Sequence, residues 1–139
     1  MLARTLIATC SAIMLLLGSA HLLYTFRGTQ LTPRDPAVRA AMDATQMMLT
    51  SETTVWRAWI GFNVSHSMCA AFFGLVFGFL AVAHPELLFR SVYLQILGFA
   101  VLLGFVILAK LYWFSVPLWG VSVALGCYLA GLVSARIGS

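Results

Sequence analysis

Trp56, Trp59, Asn63 and His66 follow one another at intervals of three, four and three residues at the start of a long apolar run, in a stretch unusually dense in polar and aromatic residues. At 3.6 residues per turn that spacing sets all four on one face of a helix. A histidine and an asparagine inside an apolar run offer two kinds of chemistry, hydrogen bonding to a ligand or neighbouring helix and, for the imidazole, ligation of a metal. The stripe continues through Ala70, Gly74 and Gly78, small residues at intervals of four that let a second helix approach closely.

A second stripe complements the first. Cys10, Met14, Gly18, His21 and Thr25 recur at three or four residues in the first apolar run. His21 stands about five residues from the end of that run, roughly 7 Å deep, and His66 is seven residues past Trp59, roughly 10 Å deep at about 1.5 Å per residue. Both histidines therefore belong to the same half of the membrane, together with Lys110. The candidate site is a polar pocket lined by His21, Tyr24, Trp59, Asn63, His66 and Lys110.

Two readings of these residues stay open. Polar side chains in membrane helices often bond one helix to another, at about 0.6 kcal/mol per pair. They also mark ligand sites, because polar groups are costly in lipid and turn toward the bundle interior. As metal ligands His21 and His66 supply two positions, the number a haem takes axially. Zinc or copper ordinarily takes a third protein ligand, and no carboxylate stands near in sequence. Haem or a metal is thus the cofactor expectation, should there be one. Ser65, His66 and Ser67 are consecutive and point in different directions, so they form no nucleophile and base pair. The acids, Asp35, Asp43, Glu52 and Glu86, lie in connections or at helix ends, where a proton-coupled transporter would place them mid-membrane. The balance leans away from an enzyme. Cys10, Cys69 and Cys127 lack any paired spacing and read as packing residues.

The elements that position these residues follow from composition. The chain has 139 residues, 62% of them hydrophobic and 9% charged, with a mean hydropathy of +0.99. Soluble domains carry roughly 25% charged residues, so this one must use lipid as its solvent. Its net charge of +4 comes from scattered arginines. A nucleic-acid surface would cluster them, so none is expected; membrane lipids with anionic headgroups are the expected partners.

Four apolar stretches, Leu6–Phe26, Val55–Val82, Leu87–Tyr112 and Pro117–Ala135, each approach the roughly 20 residues a helix needs to cross a bilayer. The fold expected is all-α, a single membrane-embedded four-helix bundle over residues 1–139. The first stretch has the look of a secretory signal, with Arg4 ahead and Gly18-Ser19-Ala20 behind, but is expected to be retained as a helix. Within the long first connection Asp35 can cap a short amphipathic helix over 36–49, with Val38, Ala41, Met42, Met48 and Leu49 on its apolar side. It would lie on the membrane surface or over the mouth of the bundle. Counting arginines and lysines places the long connection in the cytoplasm, whereas Arg4 places the N-terminus there; the two cues oppose each other. Gly120, Gly126, Ala130, Gly131 and Ser134 give the fourth helix a smooth face suited to a second copy or a larger membrane complex.

The segments GSAHLLYTF and WRAWIGFNVSHS resemble those of a group of small bacterial four-helix integral membrane proteins. The resemblance covers mainly the first eighty residues. It implies the fold and a multi-pass protein of the bacterial inner membrane, and directs attention to His21, Asn63 and His66. It brings no activity, cofactor or catalytic residue with it. What the sequence supports is a binding or accessory protein that holds a hydrophobic ligand, lipid or partner subunit. The alternative is a small membrane enzyme or redox protein using His21 and His66.

Overall fold

The computed structural model describes residues 1–137, and the fold is all-α apart from one small hairpin. Four helices are long and apolar enough to cross a membrane: α1 (Leu2–Arg27), α3 (Val55–Ala83), α5 (Val92–Tyr112) and α6 (Ser115–Ile137). Two short helices, α2 (Pro36–Ala44) and α4 (Pro85–Arg90), and a hairpin of β1 (Gln46–Met47) with β2 (Thr50–Thr54) complete the chain. Between 22% and 39% of each long helix's most apolar window is buried within the protein, so most of that apolar surface faces outward. Soluble monomers rarely expose apolar patches beyond a few hundred Å². Phe62, Phe72, Leu75 and Phe79 all stand more than half exposed along α3, which is the surface a lipid-facing helix presents.

The chain divides into two compact units. The first comprises residues 1–17 and 70–139. Its core draws Ile7, Cys10 and Met14 from α1, Phe73, Phe77 and Ala81 from α3, Leu88 from α4, Leu102, Phe105 and Ala109 from α5, and Val121, Ala124 and Tyr128 from α6. Lipid tails are as apolar as leucine, so these helices are held by close packing rather than by exclusion of water. The glycines show how close. A Cβ on Gly74 of α3 would stand 2.6 Å from the carbonyl oxygen of Ser11 on α1 and 2.8 Å from the Leu15 Cβ. One on Gly131 of α6 would stand 2.9 Å from the Ile7 Cδ1. The small-residue stripe read from the sequence is thus the contact between α1 and α3. Tyr128, fully buried, stacks edge-on to Phe77 with ring centroids 5.9 Å apart and donates its hydroxyl to the Gln95 carbonyl at 3.0 Å.

The third apolar run, expected as one helix over 87–112, is two. α4 ends at Arg90, and Ser91 starts α5 by accepting from the Leu94 N–H at 3.3 Å through its hydroxyl. The Gln95 side-chain amide donates to the Phe89 carbonyl at 2.7 Å, occupying an acceptor that the break leaves without a helical partner.

The second unit comprises residues 18–69. The Asp35 side chain accepts from the Ala37 N–H at 2.8 Å and Pro36 opens α2, as the capping pattern predicts. The helix stops at Ala44, short of residue 49. From Thr45 the backbone is extended, and Thr50, Thr53 and Thr54, stiff at the β-carbon, favour the strand that returns toward α3. Met48 and Leu49 consequently form the exposed tip of the hairpin and do not belong to the apolar face of α2.

Candidate functional site

His21 and Asn63 are 42 residues apart in sequence and both belong to the second unit. The His21 Nε2 lies 2.9 Å from the Asn63 Oδ1, joining α1 to α3. The tautomer follows from the neighbours. The Asn63 amide nitrogen donates to the Trp59 carbonyl at 2.8 Å, and a carbonyl only accepts, so the side-chain oxygen is the atom turned to His21. The His21 Nε2 must then carry the proton and donate. In the neutral ring the lone pair is left on Nδ1.

Around this bond the hydroxyls are absorbed by the helices themselves. Thr25 donates to the His21 carbonyl at 2.8 Å and Ser67 to the Asn63 carbonyl at 2.8 Å. Thr25, Asn63 and Ser67 are buried, although bonds from a hydroxyl to the carbonyl one turn back leave their helices intact. The His66 ring meets His21 edge-on, with centroids 5.3 Å apart and planes at 72°. Both imidazoles are half-buried. His21 stands six residues before the end of α1 at Arg27, about 9 Å along the axis, and His66 eleven residues after the start of α3 at Val55, about 16 Å.

The connection is pinned above α3. The Trp59 indole N–H donates to the Leu31 carbonyl at 3.0 Å. The Arg39 guanidinium lies 3.7 Å over the Trp56 ring and pairs with Asp43 at 2.6 Å, so α2 and the first turn of α3 share a cation–π contact. Val55 N–H donates to the Thr45 carbonyl at 2.9 Å, closing the hairpin onto the helix start.

Of the residues singled out in the sequence, the structure therefore brings together Trp59, Asn63, His21 and His66. Tyr24 is 46% exposed on α1, and its hydroxyl makes no hydrogen bond among the described residues. Lys110, exposed in the last turn of α5, belongs to the other unit. Sequence reasoning missed the Leu31 carbonyl and Arg39. Arg39 carried a signal, its spacing of four from Asp43 on the polar side of α2; a loop carbonyl carries none.

The arrangement does not suit a haem held between the two histidines. Axial ligation sets one ring nitrogen about 2 Å from the metal on each side, with the macrocycle between them. Here the rings touch each other and one nitrogen of His21 is committed to Asn63. Nor do any three His, Cys, Asp or Glu side chains among the described residues converge as a metal cage. Compared with protein-family models, curated proteins and solved structures, the chain finds no match.

Proposed function

We propose that this chain is a small multi-pass protein of the bacterial inner membrane that works as a binding or accessory component. Its polar patch of His21, Asn63 and His66 would receive the polar end of a hydrophobic ligand or a polar group of a partner helix. The observation that supports this reading is the His21–Asn63 bond with the His66 ring set against it. The bond fixes one imidazole in a single tautomer with its Nδ1 lone pair directed away from Asn63. His21 remains half-buried at membrane depth, where polar surface is costly unless it meets a partner. Ser65 and Ser67, the hydroxyls next to His66, are both occupied with backbone carbonyls, which favours binding over hydrolytic chemistry. The bacterial placement rests on the sequence resemblance.

The test compares the full-length protein with His66→Ala and His21→Ala variants, each checked by circular dichroism and gel filtration in detergent. Mass spectrometry of the extracted apolar fraction should find a compound or subunit that stays with the wild type and is lost from folded variants. Variants that lose only thermal stability, with nothing bound to either form, would reduce the histidines to a structural role. A Soret band or stoichiometric metal in the wild type would replace the binding reading with a redox one.

A further inference from the structure

Two close approaches fix how α1 and α6 meet within the first unit. A Cβ on Gly131 would stand 2.9 Å from the Ile7 Cδ1, and one on Gly120 would stand 2.9 Å from the Leu17 Cδ1. The numbering rises from 7 to 17 on α1 while it falls from 131 to 120 on α6, so the two helices run antiparallel. Between these contacts the facing residues recur at helical spacing. Ile7, Cys10, Met14 and Leu17 follow at three, four and three residues, against Gly131, Cys127, Ala124 and Gly120 at four, three and four. The register sets Cys10 against Cys127 and, one turn on, Met14 against Ala124.

Burial agrees with that register. Cys10, Met14 and Ala124 are fully buried, and Cys127 packs against the core that contains them. The Cys10 and Cys127 thiols lie near enough for charge on one to act on the other. The fold thus gathers three sulfur atoms, two thiols from facing helices and a thioether one turn away, a pairing that their positions in the sequence do not announce. Soft sulfur donors of this kind select Cu(I) among the biological metals. No further histidine, cysteine or acid joins the two thiols among the described residues, so zinc lacks the four ligands of its structural sites.

We propose that Cys10, Cys127 and Met14 form a Cu(I) site that clasps α1 to α6. The site is independent of the histidine patch, which belongs to the second unit, and of the function proposed for it. Binding exchanges one cation for one proton. As Cu(I) enters, one thiol releases its proton to water and becomes the thiolate, while the other thiol and the Met14 thioether coordinate as neutral donors. The core therefore gains no net charge, which would be costly in an apolar medium. Cys127, only partly buried, is the sulfur that a delivering complex meets first.

The experiment is a competition titration of the reduced full chain in detergent, with Cu(I) supplied as its bicinchoninate complex under ascorbate and without oxygen. The wild type should withdraw one Cu(I) per chain and develop an ultraviolet sulfur-to-copper band. Cys10→Ala and Cys127→Ala should lose that ion. Met14→Leu, which nearly conserves volume, should hold it about tenfold more weakly or worse, since even groups outside a metal's ligand set contribute that much. Cys69→Ala and His21→Ala/His66→Ala, both in the second unit, should bind as the wild type does. Copper X-ray absorption of the wild type needs no variant and should show two or three sulfur ligands and no nitrogen. A wild type that withdraws no copper, a nitrogen ligand, or equal binding by Cys10→Ala and Cys69→Ala overturns the proposal. A Cys10–Cys127 disulfide in protein whose thiols were alkylated at lysis also overturns it, because the two sulfurs would then be joined to each other and closed to an ion.

Discussion

The hydrogen bond from His21 to Asn63 makes α1 and α3 partners across 42 residues of sequence, and the bond from Asn63 back to Trp59 decides which way the amide faces. Removing Asn63 therefore breaks two bonds at once. Asn63→Leu should lower stability in detergent by about 1–2 kcal/mol, near the upper end for polar contacts between membrane helices. A double-mutant cycle with His21→Ala should return a coupling of about 0.6 kcal/mol or more. Denaturant unfolding followed by circular dichroism reads both, and additive single mutants would show that the bond contributes nothing.

Gly74 and Gly61 lie on the same helix and should answer differently to the same change. An added methyl at Gly74 meets the Ser11 carbonyl oxygen and the Leu15 backbone nitrogen, at 2.6 and 2.8 Å, and neither is a flexible chain end. Gly74→Ala should force α1 and α3 apart and cost about 1–3 kcal/mol, in the range of other overpacked sites. Gly61 has nothing within 4 Å, so Gly61→Ala should be neutral or stabilise by up to about 1 kcal/mol through helix propensity. Melting temperatures of the two variants, measured side by side, decide the matter.

Ser11 is the exception among the buried membrane hydroxyls. Thr25 and Ser67 each donate to the carbonyl one turn back, whereas the Ser11 hydroxyl is buried without a hydrogen-bond partner among the described residues. A buried polar group left unpaired costs about 1–3 kcal/mol, so Ser11→Ala should raise stability, by about 1 kcal/mol. A drop in melting temperature would mean the hydroxyl is satisfied.

Tyr128→Phe keeps the ring against Phe77 and removes only the donor to Gln95. The expected loss is about 1 kcal/mol. Gly98→Ala should cost more, because a Cβ there would run into the Tyr128 hydroxyl and the Phe77 ring. If the two substitutions destabilise equally, the close approach of α5 to Tyr128 is not what sets the packing.

The four long helices were legible because lipid imposes a length and a composition that the chain displays directly. Asn63, His21 and His66 were legible for the same reason, since a polar residue inside an apolar run stands out. What escaped depends on tertiary pairing. The break at Ser91 has no glycine or proline to announce it; it exists because the Ser91 hydroxyl and the Gln95 amide take up the groups it frees. The end of α2 at Ala44 was hidden because Met48 and Leu49 keep a helical spacing even where threonines turn the chain into a strand. Tyr24 and Lys110 shared a predicted depth with the histidines, and depth alone says nothing about which way a side chain turns.

The pairing of α1 with α3 also bears on how the chain is made. His21 would leave the ribosome 42 residues ahead of Asn63, a lag of about 2–8 s at roughly 5–20 residues per second. During that interval α1 must wait in the translocon or in lipid with its imidazole lacking the amide that will hold it. A longer delay, about 3–13 s for about 63 residues, separates Ser11 from Gly74 at the tight crossing of the other unit. Insertion and assembly are therefore distinct events for this protein: α1 can enter the bilayer as it is synthesised, but it acquires its neighbour only after the hairpin and the first turns of α3 have followed it out.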